Sequence, residues 1–506
     1  MLPNAPKADI MRNNLTIARH NRRRRFGLLL LSLMAMVVLS HPARALPILR
    51  DAESETLLRS MLDPLLTVNQ LNPNNVKLFI VNANSLNAFV YNGQKLFLHA
   101  GLLMRAENAD QVMGVMAHEV GHIVGGHLAL QDQVVNQAGM GAIATYALAA
   151  AAGFASGNSG AATAVLLGGQ HAIERSFLRF SRGQESEADA AALNSLDKLQ
   201  KSSDGLLEFF RILQAQEQGS GLAGGNPYTR THPMTPDRIA TISAHEGASP
   251  YTDKKLDAAT QAAYARMRGK LRGFLLPPTD VTALYAKQPD SIEKRYALSI
   301  MAFRRNDMPG ALAGIDALLK ESPRDPYYWE IRGQMLYEHG QVAAAEAAYR
   351  QAVANLKPGK VEPLIQLALA DSLVAQNLPD KTVEARGLLR QVMVRESGDP
   401  RLWRQLAVVE GRLGNLPASY LALAEQAVRE GKFALAKQQA RRVLAALPRA
   451  EDTKADTHGG GADSAGSPNP AVYANPSSQD SDAALRQRAQ DILSLKEVAE
   501  AGAKGQ

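Results

Sequence analysis

A chain of 506 residues, 46% of them apolar, has room for about three domains at roughly 150 residues each. Its formal charge of +7 sits entirely in the first 45 residues, which hold eight Lys or Arg against one acid, so residues 46–506 balance to zero. With no basic field left, nucleic acid drops out as a partner. With no cysteine, disulfides, thiolate metal ligands and thiol nucleophiles drop out as well.

The N-terminal charge belongs to an export signal over residues 1–45. "RRRRF" is a basic start, "GLLLLSLMAMVVLS" an apolar run, and "ARA", ending at Ala45, a small-x-small cleavage site. The apolar run is short for a bilayer span of about 20 residues; an uncleaved anchor is the other reading, and Met11 is a second candidate start. An exported chain without cysteine points to the periplasm of a Gram-negative bacterium.

Beyond the signal, "PILRDAESETLLRSMLDPLL" has apolar positions at helical spacing, and "KLFIV" and "NAFVY" have the composition of strands. Asn92-Gly93 then predicts a tight hairpin from "NAFVY" into "QKLFLH", because Asn-Gly tolerates positive φ. From Asn108 the pattern is helical. Residues 138–168, two Ala/Gly-rich apolar pieces around "SGNSG", are each too short to span a membrane; they suit buried or loosely packed helices, a lid, or a contact with a membrane surface. Helices are predicted through "SRGQESEADAAALNSL" and "DGLLEFFRILQAQEQ", then a Gly-rich loop, then a helix capped by Thr235 with Pro236 at its first position.

From about residue 286 the texture is repetitive. Trp329, Gly333, Gly340, Ala345, Tyr349, Ala352 and Pro358 stand near tetratricopeptide spacing, with weaker copies around Trp403 and Gly414 and through Tyr420, Ala424, Gly431, Ala436 and Pro448. Small residues at such positions let paired helices approach, so that stacked units share a core. The expected organisation is a signal at 1–45, a first domain at 46–270, a linker at 271–285, a repeat domain at 286–450, a disordered stretch at 451–483 that is poor in large apolar groups, and a C-terminal helix or tail at 484–506.

Chemistry concentrates in "AHEVGHIVGGH". His118 and His122 are four apart on a helix and project from one face, with Glu119 beside them. Two imidazoles and an adjacent carboxylate are what a zinc peptidase needs: two ligands and a general base for water. A catalytic zinc takes a third protein ligand. His127 is nine residues from His118, one short of the spacing that places a third histidine on the metal; on a continued helix it points about 180° away, so it is expected behind a ligand or on the surface. "ESEAD" is the better source. Glu185 and Asp189 share a helix face, so one carboxylate can bind the metal while the other accepts the N–H of a ligating histidine. Glu187 falls on the opposite side and is expected in solvent.

"HEVGH" followed by "SRGQESEAD", with "LNAF" on an upstream strand, resembles the gluzincin family of the CAAX-processing prenyl proteases and the HtpX heat-shock protease. The signal, the "RDAE" opening, the "THP" segment and the C-terminal repeats resemble a periplasmic, repeat-bearing branch of that family, over most of residues 46–450. The resemblance implies a mainly α protein: an α+β metallopeptidase domain with a small sheet, followed by an all-α tetratricopeptide solenoid. It implies one Zn2+ held by His118, His122 and Glu185, with Glu119 as general base and Asp189 as second catalytic acid. For Asp189 some descriptions of the family give proton donation, whereas its helix position favours orienting His118. His232, in "THPMTPDRI", matches a histidine able to occupy the open zinc position and keep the enzyme latent. The implied activity is endoproteolysis of unfolded or misassembled outer-membrane proteins. An extended substrate would lie along the strand edge at Asn87, Ala88 and Phe89, and the repeat groove would hold the outer-membrane barrel assembly machinery. The competing expectation is a chaperone or scaffold in which the repeats do the work and hydrolysis is latent or minor.

Overall fold

The computed structural model describes residues 47–91, 94–127, 182–220, 228–229, 232–448 and 481–495. The export signal, the Asn92-Gly93 turn, the Ala/Gly-rich segment 138–168, nearly all of 451–483 and the tail beyond 495 lie outside them. Among the described residues no helix is long and apolar enough to cross a membrane.

The first domain is built on a four-stranded sheet. β1 (Ile48–Leu49) pairs antiparallel with β2 (Lys77–Val81), β2 runs parallel to β4 (Lys95–His99), and β3 (Ala88–Tyr91) closes the hairpin onto β4. The spatial order β1-β2-β4-β3 leaves β3 at an edge, as the hairpin signal predicts. Period-two alternation sends Leu78, Ile80, Leu96, Leu98, Ala88 and Val90 to the core face. On the opposite face Phe79, Phe97 and Phe89 stand in register and stack at 5.0 and 4.9 Å.

Helices cover the core face. α1 (Ala52–Val68) starts where the Asp51 carboxylate accepts from the Ser54 amide. α2 (Ala100–Arg105) follows β4 directly, and α3 (Ala109–Val124) is capped by Asn108, whose side chain accepts from the Gln111 amide. α4 (residues 182–198) and α5 (Asp204–Ser220) carry the two helical patterns read after the Ala/Gly-rich segment. α6 (Pro236–Ala248) begins as expected, with Thr235 accepting from the Arg238 amide.

Residues 271–285, expected as a linker, are helical. α7 (Ala258–Leu275) runs through the supposed boundary and α8 (Pro278–Ala286) follows after two residues. The physical reason is that α7 serves both domains. Its Tyr264, Met267 and Leu271 sit in the core of the first domain, and the Tyr264 hydroxyl donates to the carbonyls of Leu103 and Ala106. Its Gly269 and Gly273 lie so close to α9 (Ile292–Arg304) that a Cβ would meet the Glu293 carbonyl oxygen at 2.5 Å and that of Ala297 at 2.9 Å. A shared helix replaces the flexible break that composition suggested.

The rest is stacked antiparallel helix pairs: α9 with α10 (Met308–Glu321), α11 (Pro326–Glu338) with α12 (Val342–Ala354), α13 (Pro363–Gln376) with α14 (Pro379–Glu396), and α15 (Pro400–Arg412) with α16 (Leu416–Arg429). The repeat positions have visible roles. A Cβ on Gly333 would strike the Tyr349 ring at 2.7 Å, Ala345 and Ala352 are fully buried, and Gly340 turns the chain at φ +79°. Trp329 and Trp403 make the same contact, each indole N–H donating to a carbonyl six residues back. The last pair is α17 (Phe433–Ala446) with α18 (Asp482–Ser494), whose Leu485, Ala489 and Ile492 close the core against α16 and α17.

The "RDAE" stretch is the clasp between the domains. Lys270 of α7, 3% exposed, has its ammonium 2.5 Å from Asp51, 3.4 Å from Glu53 and 3.2 Å from Glu330 of α11. Arg266 bridges Glu53 and Asp325, and Arg50 reaches Glu396 at 3.1 Å. Removing the cation strands buried carboxylates. Lys270→Met should therefore destabilise the chain by about 3–5 kcal/mol, seen as a lower urea midpoint; an unchanged midpoint contradicts this role.

Candidate metal centre

α3 brings His118, Glu119 and His122 to the interior because its surroundings bury every residue from Ala109 to His122: the three are 0, 0 and 9% accessible. Two glycines set the depth. A Cβ on Gly121 would meet the Ala188 carbonyl oxygen at 2.6 Å, and one on Gly114 would meet the Leu206 backbone nitrogen at 2.7 Å. The two glycines are seven residues apart and share one face of α3, which seats the first half of that face against the start of α5 and the second half against α4. On α4, Glu185 and Asp189 share the face turned toward the histidines, buried to 3 and 2% accessibility.

The donor atoms converge. His118 Nε2 is 3.2 Å from His122 Nε2 and 3.3 Å from Glu185 Oε2, and His122 Nε2 is 3.4 Å from Glu185 Oε1. His232, which follows a short helical turn at Tyr228, adds its Nδ1 at 3.4 Å from His118 Nε2 and 3.1 Å from Glu185 Oε1. One ligand atom from each of His118, His122, Glu185 and His232 lies within 4.8 Å of the others. Tyr228 stacks on the His232 ring at 4.6 Å, and the Tyr228 carbonyl accepts from the His232 amide.

Behind the donors, Asp189 Oδ1 meets His118 Nδ1 at 2.9 Å. Arg238 of α6 grips Asp189 with two bonds, Nε to Oδ2 at 2.6 Å and Nη2 to Oδ1 at 2.8 Å, and its Nη1 lies 2.8 Å from Glu185 Oε2. Its guanidinium also covers the Phe210 ring at 4.8 Å. Burial opposes every charge here. It would raise Asp189 and Glu185, but Arg238 and His118 hold Asp189 below its usual value, and the surrounding histidines do the same for Glu185. Burial would lower His118, yet Asp189 and Glu185 push it up to about 9. The carboxylates thus favour a positive charge at the donor position.

Glu119 points the same way. It is fully buried, neither carboxylate oxygen has a hydrogen-bond partner among the described residues, and His232 Nε2 stands 3.4 Å from Oε1. A carboxylate so placed costs several kcal/mol unless a cation or a held water satisfies it. The donor set of imidazole nitrogens and one carboxylate, without sulfur, suits a catalytic zinc-type ion.

Every site residue expected from the sequence on α3, α4 and the "THP" segment falls in this cluster. His127 behaves differently from the continued-helix picture. α3 ends at Val124, Gly126 turns with φ +61°, and His127 folds back so that its Nδ1 lies 2.9 Å from His122 Nδ1. Glu187 is solvent-facing, its side chain 72% exposed, as the helix projection requires. On the edge strand, which packs beside α3, Ala88 is fully buried and has only backbone to offer a ligand, Phe89 is half-buried, and the side-chain oxygen of Asn87 is buried without a partner. Sequence reasoning passed over Arg238, Tyr228 and Phe210. Arg238 had a faint signal, three residues past the cap Thr235, but nothing in the string distinguishes a buried arginine from a solvated one.

Because Gly121 touches backbone, Gly121→Ala should force α3 from α4 at about 1–3 kcal/mol of overpacking and lower metal uptake by the purified chain. Metal content and stability equal to wild type would show that the contact does not set the site.

Residues 52–246 match the profile of Peptidase family M48. Over 388 residues the chain is 26% identical to the "Beta-barrel assembly-enhancing protease" of Escherichia coli K12, spanning 72% of this chain and 75% of that protein. It is 24% identical over 395 residues to the protein of the same name from Yersinia pestis, spanning 73% and 77%. A shorter match, 28% over 178 residues, joins it to the Escherichia coli "Metalloprotease YcaL", covering 34% of this chain and 66% of that one. The chain carries a Peptidase family M48 domain and is a metalloprotease.

Proposed function

We propose that this metalloprotease is a zinc-dependent endopeptidase of the periplasm that removes misfolded or stalled outer-membrane barrel proteins and assists their assembly. The observation that carries the reading is the convergence of four donor atoms beside a buried Glu119 that has no hydrogen bond among the described residues. The relatives' printed names and the basic, apolar leader support the substrate class and the compartment.

His118, His122 and Glu185 are the proposed zinc ligands. Bound there, zinc supplies a Lewis acid that polarises a carbonyl and acidifies water. Glu119 takes the proton of the attacking water and returns it to the leaving amine. Asp189, held by Arg238, accepts from His118 Nδ1 and so keeps Nε2 directed at the donor cluster. An extended substrate adds to the free edge of β3 along Asn87, Ala88 and Phe89, where main-chain bonding reads backbone more than side chain. That suits a protease for unfolded chains. The repeat pairs offer the groove for the assembly machinery, and residues 138–168 remain the candidate for contact with a membrane surface.

A second reading, a chaperone or scaffold with latent proteolysis, draws support from His232, whose Nδ1 stands among the donors. As a fourth ligand it would fill the position that water needs. Under this latch, His232→Ala should raise cleavage of an unfolded barrel protein severalfold in a purified assay; an unchanged or lower rate removes the latch. Glu119→Gln should cut cleavage by at least about a hundredfold while leaving zinc content unchanged. Activity retained in Glu119→Gln overturns the endopeptidase reading, and normal barrel assembly in cells carrying it favours the scaffold.

A further inference from the structure

His118 has an orienting partner in Asp189, but that carboxylate does nothing for His122. The Nε2 of His122 faces the donor cluster, 3.2 Å from His118 Nε2 and 3.4 Å from Glu185. If Nε2 is to bind a metal, its lone pair must be free, so the proton of this imidazole resides on Nδ1. That Nδ1 is 2.9 Å from His127 Nδ1. His127 must therefore accept through Nδ1 and carry its own proton on Nε2, which lies 3.1 Å from the Glu187 carboxylate. Each link dictates the tautomer of the next.

We propose that His127 and Glu187 form a positioning relay that fixes the tautomer and ring orientation of His122 for metal binding. The relay rests on the metal-centre reading above. The backbone is shaped for it. α3 stops at Val124, and Gly126 adopts φ +61°, which returns the chain beneath His122. Gly125 is needed for a separate reason: a Cβ there would meet His127 Nε2 at 2.2 Å, so the ring lies directly on its Cα. Gln184 of α4 then donates to the His127 carbonyl at 2.9 Å. His127 is 3% exposed, whereas Glu187 is mostly in solvent. The two residues flanking Glu185, at 184 and 187, thus hold the turn that carries His127, and the "GGH" ending of the opening stretch acquires a physical role. His127 touches neither substrate nor metal; it acts through His122.

The test uses the full mature chain. Zinc affinity is measured by competition with a chromophoric chelator at fixed pH, and the visible spectrum of the cobalt-substituted protein reports ligand geometry. His127→Ala should weaken zinc binding about ten- to a hundredfold and shift the cobalt bands. His127→Gln offers an amide oxygen to accept and an amide N–H to donate across nearly the same span as the imidazole, and should restore both readouts to near wild type. Glu187→Ala, at an exposed position that folding does not depend on, should weaken binding less than His127→Ala and add nothing to it in the double variant. Wild-type affinity and spectrum in His127→Ala overturn the relay. So does His127→Gln falling as far as His127→Ala, which would mark lost packing, or a full Glu187→Ala effect persisting without His127. A wild-type chain that takes up no zinc sinks the metal-centre reading itself, which distinguishes that failure from failure of the relay alone.

Discussion

Two helices from segments some sixty residues apart must approach until a carboxylate on one reaches the imidazoles of the other. The contact between Gly121 and the backbone of Ala188 is what permits this, because any side chain at 121 would occupy the space of a carbonyl oxygen. Long residues elsewhere on α3 build the core, but this one position sets the distance between His118, His122 and Glu185. Gly114 against Leu206 makes the matching approach to α5 two turns earlier on the same face. The glycine between His118 and His122 is therefore a spacing element as much as a flexible one, and the donor geometry follows from it.

Charge is the second constraint. Glu119, Glu185 and Asp189 are all buried around one point, and among the described residues Arg238 is the permanent cation set against them. Arg238 is placed to hold Asp189 with two bonds and to touch one oxygen of Glu185, and Glu119 has no hydrogen bond among the described residues. The lifted affinity of His118 for a proton is the same imbalance seen from the ligand side. A divalent ion at the donor cluster would settle it, and Arg238 would then keep the carboxylates from collapsing onto that ion in the wrong orientation. At the other end of the domain each buried carboxylate has a cation in contact: Lys270 meets Asp51, Glu53 and Glu330, Arg266 meets Glu53 and Asp325, and these pairs fix the first domain on the repeats.

Much of this was legible because it follows from local periodicity. The four-residue spacing of His118 with His122 and of Glu185 with Asp189 put each pair on one face, Asn-Gly announced the hairpin that leaves β3 at the edge, and Thr235-Pro236 marked the start of α6. Small residues at Gly333, Ala345 and Ala352 announced stacked helix pairs. What escaped was set by tertiary contact. The stretch 271–285 was expected as a linker, yet the partner faces that make α7 helical, Tyr264 inward and Gly269 toward α9, lie on separate domains. Of the two places expected for His127, behind a ligand or on the surface, the structure gives the first, and only the end of α3 at Val124 and the turn at Gly126 show that its contact is His122. The role of Arg238 was hidden because its partners are 49 and 53 residues away in the chain.

Anomalous diffraction at the zinc edge from crystals of the mature chain tests the central claim most directly. One peak should appear between α3 and α4, within bonding distance of His118 Nε2, His122 Nε2 and a Glu185 oxygen. A peak bound elsewhere, or Glu185 turned from the histidines with no peak between them, contradicts it.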